Sequence, residues 1–440
     1  MNIFSTNTNQ AGTVLRQLTW VMVLAAFALF GVTWKLWTPQ TIFPQIPFIE
    51  SVRYFPRWLD WLCFALVIGS LFSILVFSIL SGRVLKKSIV LNRWLTASRL
   101  IFLLATTMLI LLDQHRFQTW AYQFLLIVVV MSATSPSKAV MWLRILTVGI
   151  YAHSAFSKFD ASFLNTHGQQ LARATLEAVG LSFDIWNESA RQALAFSLPL
   201  GEFVIAICLC VPYLRRLGIG FAIFMHFCLL IALGPFGLNH KPGVLIWNIF
   251  FATQTVLLFG SLGKNVSRGS NSAEVPETTQ TPEKIAHKRG NQLAGITVLG
   301  AICLPLLEPF GMFDHWPGWA LYASKSERVT LFVHVSQREK LPETVRKFTA
   351  KPSSNPWCKV DIDKWSLNEF NAPVYPQDRF RLGVARALID RSKLKPGTFR
   401  ILMESSANRL AGQRSMREIT NQIELDSSLS KFQLNTKSRP

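Results

Sequence analysis

Nine apolar stretches, most of them about twenty residues long, dominate the first 310 residues of this chain of 440. A helix of about twenty apolar residues crosses the roughly 30 Å hydrocarbon core of a bilayer. The stretches lie at 18–37, 58–80, 95–112, 118–133, 141–157, 193–212, 217–234, 243–263 and 293–309. Because the fourth and ninth are short or weak, the count is nine spans or eight. The pattern predicts an all-α polytopic membrane bundle over 1–310 and excludes a purely soluble protein.

The net charge of +20 is spread along the chain. Residues 311–440 carry 22 Lys or Arg and 13 Asp or Glu, so a net charge of +11 remains for the membrane part. Dispersed basic charge of this kind is typical of cytoplasmic loops and of contact with anionic lipids. It predicts membrane lipids as partners and no nucleic acid.

Basic residues in alternate loops predict the orientation. They are Arg83, Lys86, Lys87 and Arg93, then Arg215 and Arg216, then the polar loop 264–290, whose composition predicts flexibility. Placing these loops in the cytoplasm puts the N-terminus there too. With nine spans the tail 311–440 lies outside, which is the periplasmic side if the membrane is a bacterial inner membrane. With an even number it returns to the cytoplasm.

The tail 311–440 has a different pattern, which predicts a small extramembrane α+β domain. In residues 329–335 an aliphatic residue recurs at every second position, which is the period of a strand, and 399–403 is a second predicted strand. Asp378 opens a stretch with helical spacing. Residues 158–192 are too polar to span a membrane but contain helical patterns, which predicts interfacial helices.

Ionisable residues inside spans are costly and are therefore functional candidates. Glu202 lies in the sixth predicted span, His226 in the seventh and His153 in the fifth. A carboxylate at this depth must be protonated or paired, and we expect His226 to be its partner. The alternative for His226 is a structural imidazole that bonds between helices.

Several polar residues fall at the same predicted end of the bundle, where they could line one outward-facing cavity. They are Asp113, His115, Lys158, Asn239, His240 and Glu308, with Asn248 one turn inside and Trp247 beside it. The alternative is that loops at a membrane surface are polar anyway and that Trp247 is an interfacial anchor.

The segment from Tyr151 to Phe163, followed by Gly168, resembles a recurring stretch of the horizontally transferred transmembrane (HTTM) domain family. In that family, which includes the vitamin K-dependent gamma-carboxylases, a helix ending in Tyr and Lys leads through Asp and an aromatic residue to a Gly. The order of later features is similar: His226, the exit 234–237, Trp247–Asn248 and an extramembrane tail. Ala155 and Phe163 depart from the family's usual Gly and Trp.

The resemblance implies that Lys158 is the base that deprotonates a reduced quinone. It thereby suggests a reduced quinone as the cofactor. Desolvation at an apolar helix end favours the neutral amine that a base needs. Tyr151, Ser154 and Lys158 share a helical face on which a quinone-like ring could lie, and Asp160 would be the nearest counter-ion. His153, His240, Trp247 and Asn248 complete the predicted binding set, and no metal site is predicted.

The sequence leaves two function classes open. One is an HTTM-like enzyme that depends on a lipid or quinone, with carboxylase-like chemistry. The other is a non-enzymatic scaffold or accessory subunit, similar to DoxX-like proteins, that anchors the outer domain beside a protein partner. An enzyme requires its polar groups to line one cavity, whereas a scaffold leaves them dispersed.

Overall fold

The computed structural model describes residues 8–83, 88–260, 282–351 and 355–440. Its main helices up to residue 310 are α1 (Thr8–Val32), α2 (Trp58–Arg83), α3 (Ile89–Leu112), α4 (Thr119–Ala133), α5 (Pro136–Phe156), α6 (His167–Ala178), α7 (Glu188–Cys210), α8 (Arg215–Leu233), α9 (Pro242–Gly260) and α10 (Pro282–Cys303). Shorter turns are Trp34–Trp37, Glu50–Tyr54, Gln114–Arg116, Ala161–Asn165 and Leu304–Phe310. Within the described ranges, eight segments are long and apolar enough to cross a membrane: α1, α2, α3, α5, α7, α8, α9 and 288–310. The predicted helical membrane bundle is therefore confirmed.

The fourth predicted span is the short helix α4. Its 15 residues cover about 22 Å at roughly 1.5 Å per residue, which is less than the hydrocarbon thickness. Near its start Tyr122 stacks on Trp319 of the tail at a centroid distance of 5.1 Å. At its end the backbone of Ala133 contacts Gly290 in α10. The helix α4 thus runs between the same two ends of the bundle as its longer neighbours.

The start of α1 and the tail lie at opposite ends of the bundle. Thr8 and Ser137 approach to 3.3 Å between their hydroxyl oxygens at one end. At the other end the side chain of Asn371 donates to the carbonyl of Val32 at 3.1 Å. An odd number of membrane crossings would place the start of α1 and the tail at opposite ends in this way. That the basic loops face a cytoplasm stays a prediction; Lys86, Lys87 and residues 264–281 lie outside the described residues.

The predicted flexible loop 264–290 is too long at its second end. The structure has residues 282–290 in α10, which begins at Pro282. Proline suits the first position of a helix, because its φ is already helical and its missing N–H has no partner there. A Cβ at Gly290 would lie 2.0 Å from the Ala133 carbonyl, so glycine permits this close approach.

The tail folds as an antiparallel sheet covered by helices. The strands β1 (Arg328–His334), β2 (Trp357–Val360), β3 (Phe399–Glu404) and β4 (Met416–Ile419) lie in the order β2-β1-β3-β4. The helices are α11 (Ile362–Phe370), α12 (Asp378–Arg391) and α13 (Gln422–Leu429), with shorter turns at Val335–Lys340 and Glu343–Arg346. The predicted strands at 329–335 and 399–403 and the helix at Asp378 are confirmed. The strands β2 and β4 are additions that the sequence analysis missed.

Buried polar contacts join the tail to the bundle. Asp60, in the first turn of α2, pairs with Arg116 at 2.6 Å and with Arg439 at 2.8 Å. Arg379 of α12 pairs with Asp314 and also donates to Gln114 at 3.0 Å. The apolar core is likewise continuous, because one cluster of buried residues runs from α1 to the sheet. The tail is therefore docked on the bundle rather than suspended from it.

Candidate functional site

Lys158 and Glu202 form an ion pair where α5 meets α7. The Nζ of Lys158 donates to both carboxylate oxygens of Glu202 at 2.8 Å and to Oγ of Ser154 at 2.7 Å. The two side chains are 6% and 12% exposed. Ser154 and Lys158 are four residues apart near the end of α5, so one helical face presents both.

The predicted pairing of Glu202 with His226 is wrong. Glu202 does face the interior, but in the part of the chain that the structure describes its charged partner is Lys158. The prediction failed because it misjudged how deep α7 lies in the bundle. The first turn of α7 is hydrogen-bonded to α6, since Gln169 donates to Glu188 at 3.0 Å. Glu202 therefore lies level with the end of α5, which the length of an apolar stretch does not show.

His226 belongs to a second polar chain, on the facing helices α8 and α9. Its Nδ1 lies 2.9 Å from Oδ1 of Asn248, and its Nε2 lies 3.0 Å from the hydroxyl of Tyr151. Asn248 donates its amide to the carbonyl of Val244 at 2.8 Å, which fixes Oδ1 as an acceptor. The Nδ1 of His226 must therefore carry a hydrogen.

Tyr151 also contacts Thr255 at 3.2 Å between the two hydroxyl oxygens, and Thr255 donates to the carbonyl of Phe251. A neutral His226 with its hydrogen on Nδ1 donates to Asn248 and accepts from Tyr151 through Nε2. His226, Asn248, Tyr151 and Thr255 thus form one connected hydrogen-bonded group between α5, α8 and α9.

Both polar groups face one cavity inside the bundle. The cavity has a volume of about 70 Å³ and is lined by Tyr151, Ser154, Lys158, Glu202, His226, Trp247 and Asn248 among its residues. Tyr151 lies against Phe251 at 4.9 Å between centroids, and Trp247 stacks on Phe251 at 6.1 Å. Aromatic walls with a few fixed polar groups are typical of sites for planar organic ligands.

A second cavity of about 280 Å³ adjoins the first, between the bundle and the tail. The two share Trp247, Leu321 and Tyr322 as a common wall. His240 lines the second cavity, and burial lowers the pKa of its imidazole. The buried hydroxyl of Thr119 also lines it and has no hydrogen-bond partner within the described residues. This space can admit more ligand than the inner cavity holds.

Two predicted site residues lie elsewhere. His153 turns away from the cavity and bonds the carbonyl of Ile302 at 2.7 Å, which ties α5 to α10. Asp160 accepts from the backbone N–H of Phe163 at 2.8 Å and so caps the turn Ala161–Asn165. Burial raises the pKa of this carboxyl. Its role here is capping, and Glu202 rather than Asp160 is the counter-ion of Lys158.

The wider prediction of one polar cavity holds for some residues only. His115 is buried under the tail, where Nε2 lies 3.0 Å from the carbonyl of Pro373. Asp113 accepts from the backbone N–H of His115 at 3.1 Å. Glu308 bonds His315 and Lys325, and Asn239 is exposed in a turn with φ of 50°. These four residues fasten the tail to the bundle or shape a loop.

Sequence reasoning missed three residues of the site. Thr255 follows Asn248 by seven positions on α9, and Phe251 by four, so helical spacing could have indicated both contacts. Tyr322 comes from the tail and carries no comparable signal. It closes the wall between the two cavities, and burial raises the pKa of its hydroxyl.

In comparisons with known proteins, no family model, no curated protein and no solved structure matches this chain.

Proposed function

We propose that this membrane protein is an HTTM-like enzyme that removes a proton from a hydroxyl group of a lipid-soluble substrate. The observation that carries the proposal is the Lys158–Glu202 pair, whose two members face a cavity inside the bundle. Intramembrane ionisable residues that face a cavity are more often functional than structural. The resemblance around Lys158 adds the suggestion that the substrate is a reduced quinone or a related phenol.

The pair, rather than the lysine alone, acts as the base. In the ion pair the amine is an ammonium group, which cannot accept a proton directly. As the O–H bond of the substrate breaks, Nζ of Lys158 takes that proton and passes one of its own to the carboxylate of Glu202. The products are a substrate oxyanion, a Lys158 ammonium and a neutral Glu202. The oxyanion keeps the ammonium as its partner, so no uncompensated charge is left in a medium of low dielectric.

The other groups of the cavity position the ring. Tyr151, Trp247 and His226 line the cavity beside the ion pair, so the ring of the substrate can lie among aromatic side chains while its hydroxyl group meets Lys158.

A nitrophenol with a short alkyl group tests the proposal, because its anion has a distinct absorption band. The full chain in phosphatidylcholine nanodiscs should lower the apparent pKa of the bound phenol by about 1 to 3, the effect of a cation within reach. The double variant Lys158→Met/Glu202→Gln should abolish the shift. It removes both charges together, which keeps the interior neutral and protects the fold.

His153→Gln is the matched control, since His153 lies on the same helix but outside the cavity. It should bind and ionise the phenol as the wild type does. Equal behaviour of the double variant and the wild type, or no binding by the wild type, would contradict the proposal.

The scaffold function keeps one supporting observation, the buried contacts of the tail with the bundle. A scaffold would hold this domain rigidly at the membrane for a protein partner. It predicts that the double variant retains full function in a cell whose growth depends on the protein.

A further inference from the structure

An apolar groove on the surface of the bundle adjoins the polar cavity that contains Lys158 and Glu202. The groove has a volume of about 360 Å³ and lies between α7 and α8, with α6 at one end. Its walls include Leu200, Phe221 and Phe224, which are 42%, 41% and 66% exposed. Because α7 and α8 are membrane-crossing by length and composition, these side chains face hydrocarbon.

The groove adjoins the polar cavity. Both are lined by the same four residues, Leu171, Leu198, Met225 and Leu229. These four apolar side chains lie between the groove and the cavity that the Lys158–Glu202 pair faces. The groove adjoins the polar cavity on the side of α7 and α8. The wall between the polar cavity and the second cavity is a different one, formed by Trp247, Leu321 and Tyr322.

The sequence of α7 explains why the groove stays open. Pro199 lies inside the helix and cannot donate the hydrogen bond that would reach the carbonyl of Ala195. Gly201 follows and lines the groove, and a Cβ at this position would meet no atom within 4 Å. A missing backbone donor at Pro199 and a missing side chain at Gly201 thus both fall within the three residues before Glu202.

We propose that this groove is a lateral entrance that holds the hydrocarbon chain of the substrate while its hydroxylated head occupies the cavity at Lys158. The inference rests on the proposed function and adds to it the substrate's class, a single-chain amphiphile taken directly from the bilayer. Its chain occupies the space between α7 and α8. Phospholipid acyl chains are the competing occupant.

Gly201→Leu blocks the groove, and Gly220→Leu is its matched control. Neither position has an atom within 4 Å of the added Cβ, so either backbone position accepts a Cβ without a clash. Gly220 is exposed on α8 and does not line the groove. The two variants therefore share the effect of replacing a glycine within a helix. They differ in whether the new side chain enters the groove.

The probe is a hydroquinone with a prenyl chain that carries a diazirine and an alkyne, used with the full chain in phosphatidylcholine nanodiscs. Light should attach it to peptides from 197–205 and 221–229. Gly201→Leu should reduce this labelling about tenfold, equivalent to about 1.4 kcal/mol and within the usual range of overpacking penalties. Gly220→Leu should label as the wild type does.

The short nitrophenol separates failure of the entrance from failure of the function. It has no long chain, so Gly201→Leu should still ionise it. Unchanged prenyl labelling in Gly201→Leu, or labelling spread evenly over lipid-facing α2 and α3, would overturn the entrance and assign the groove to bulk lipid. No ionisation of the nitrophenol by the wild type would overturn the proposed function itself.

Discussion

Two buried ion pairs lie near the tail end of the bundle, and they differ in what surrounds them. Asp60 and Arg116 are fully buried, and Arg439 is 3% exposed. Arg116 also donates to the carbonyls of Leu36 at 2.8 Å and Thr38 at 2.9 Å. Lys158 and Glu202 keep slight exposure and face a cavity.

The difference shows how similar charges can serve structure or chemistry. Arginine offers five donors in a fixed fork and never loses its proton, so it suits the satisfaction of several acceptors at once. Lysine offers a single nitrogen that can exchange its proton. The cluster of Asp60, Arg116 and Arg439 thus closes a joint between distant parts of the chain. The Lys158–Glu202 pair leaves one side open to a ligand.

The largest expected effect is that of removing the acid of the closed cluster. Asp60→Ala leaves the guanidinium groups of Arg116 and Arg439 without their carboxylate. Breaking a buried pair in this way costs about 3–5 kcal/mol. The thermal transition in fixed detergent and the abundance in the membrane should both fall. Glu50→Ala removes an exposed partner of Lys437 and should change neither, and equal losses in the two variants would contradict the distinction.

A third buried cluster makes the stability of the protein depend on pH. His315 bonds Glu308 at 2.7 Å and Glu327 at 2.9 Å, and Lys325 also pairs with Glu308 at 2.7 Å. Burial alone would lower the pKa of His315, but the two carboxylates raise it from 6.5 to about 9. The imidazolium therefore holds the junction between the last span and the tail.

A pKa raised by folding stabilises the fold below the unfolded value and loses that contribution as the pH rises through the folded value. Stability should thus be highest near pH 6 and fall by at most roughly 3 kcal/mol as the pH passes 9, at about 1.36 kcal/mol per pKa unit. Thermal transitions between pH 6 and 9.5 measure this. His315→Gln should flatten the curve over that range. An equally steep curve in this variant would assign the effect to other groups.

The next effect tests whether Arg116 needs its fork. Arg116→Lys keeps a positive charge beside Asp60 but loses the donors to Leu36 and Thr38. A buried carbonyl without a partner costs about 1–3 kcal/mol. The thermal transition should fall accordingly. Arg173→Lys, in an exposed pair with Asp184, should show little change.

The sequence predicted those features that depend on neighbouring residues. Apolar stretches located the crossing helices, and alternation located β1, because each pattern repeats within one element. Asp60 and Arg439 are 379 positions apart, so no local pattern connects them. Tyr322 reaches the cavity wall from the tail for the same reason.

The site was predicted in part. Lys158, Tyr151, Ser154, His226 and Asn248 do meet in one cavity, since helical spacing and depth place them at one end of the bundle. The partner of Glu202 was mistaken because α7 begins beside α6, beyond the apolar stretch. The sequence also gives no sign that His115 lies under the tail.

Lys158→Arg should have the smallest effect on stability and the clearest effect on chemistry. The charge beside Glu202 is retained and the cavity gives some room, so the free energy of unfolding should fall by less than about 1.5 kcal/mol, as for other tolerated swaps.

The guanidinium of Lys158→Arg still stabilises an oxyanion, and the equilibrium fraction of bound nitrophenolate should change little. It cannot release a proton to Glu202 at accessible pH, however, so the relay is broken. Stopped-flow absorbance should show phenolate forming about 10²–10⁴ times more slowly, the usual contribution of a positioned acid or base. His153→Gln should keep the wild-type rate. If Lys158→Arg forms phenolate as fast as the wild type, the proton does not pass through Lys158, and the open pair is structural like the closed one.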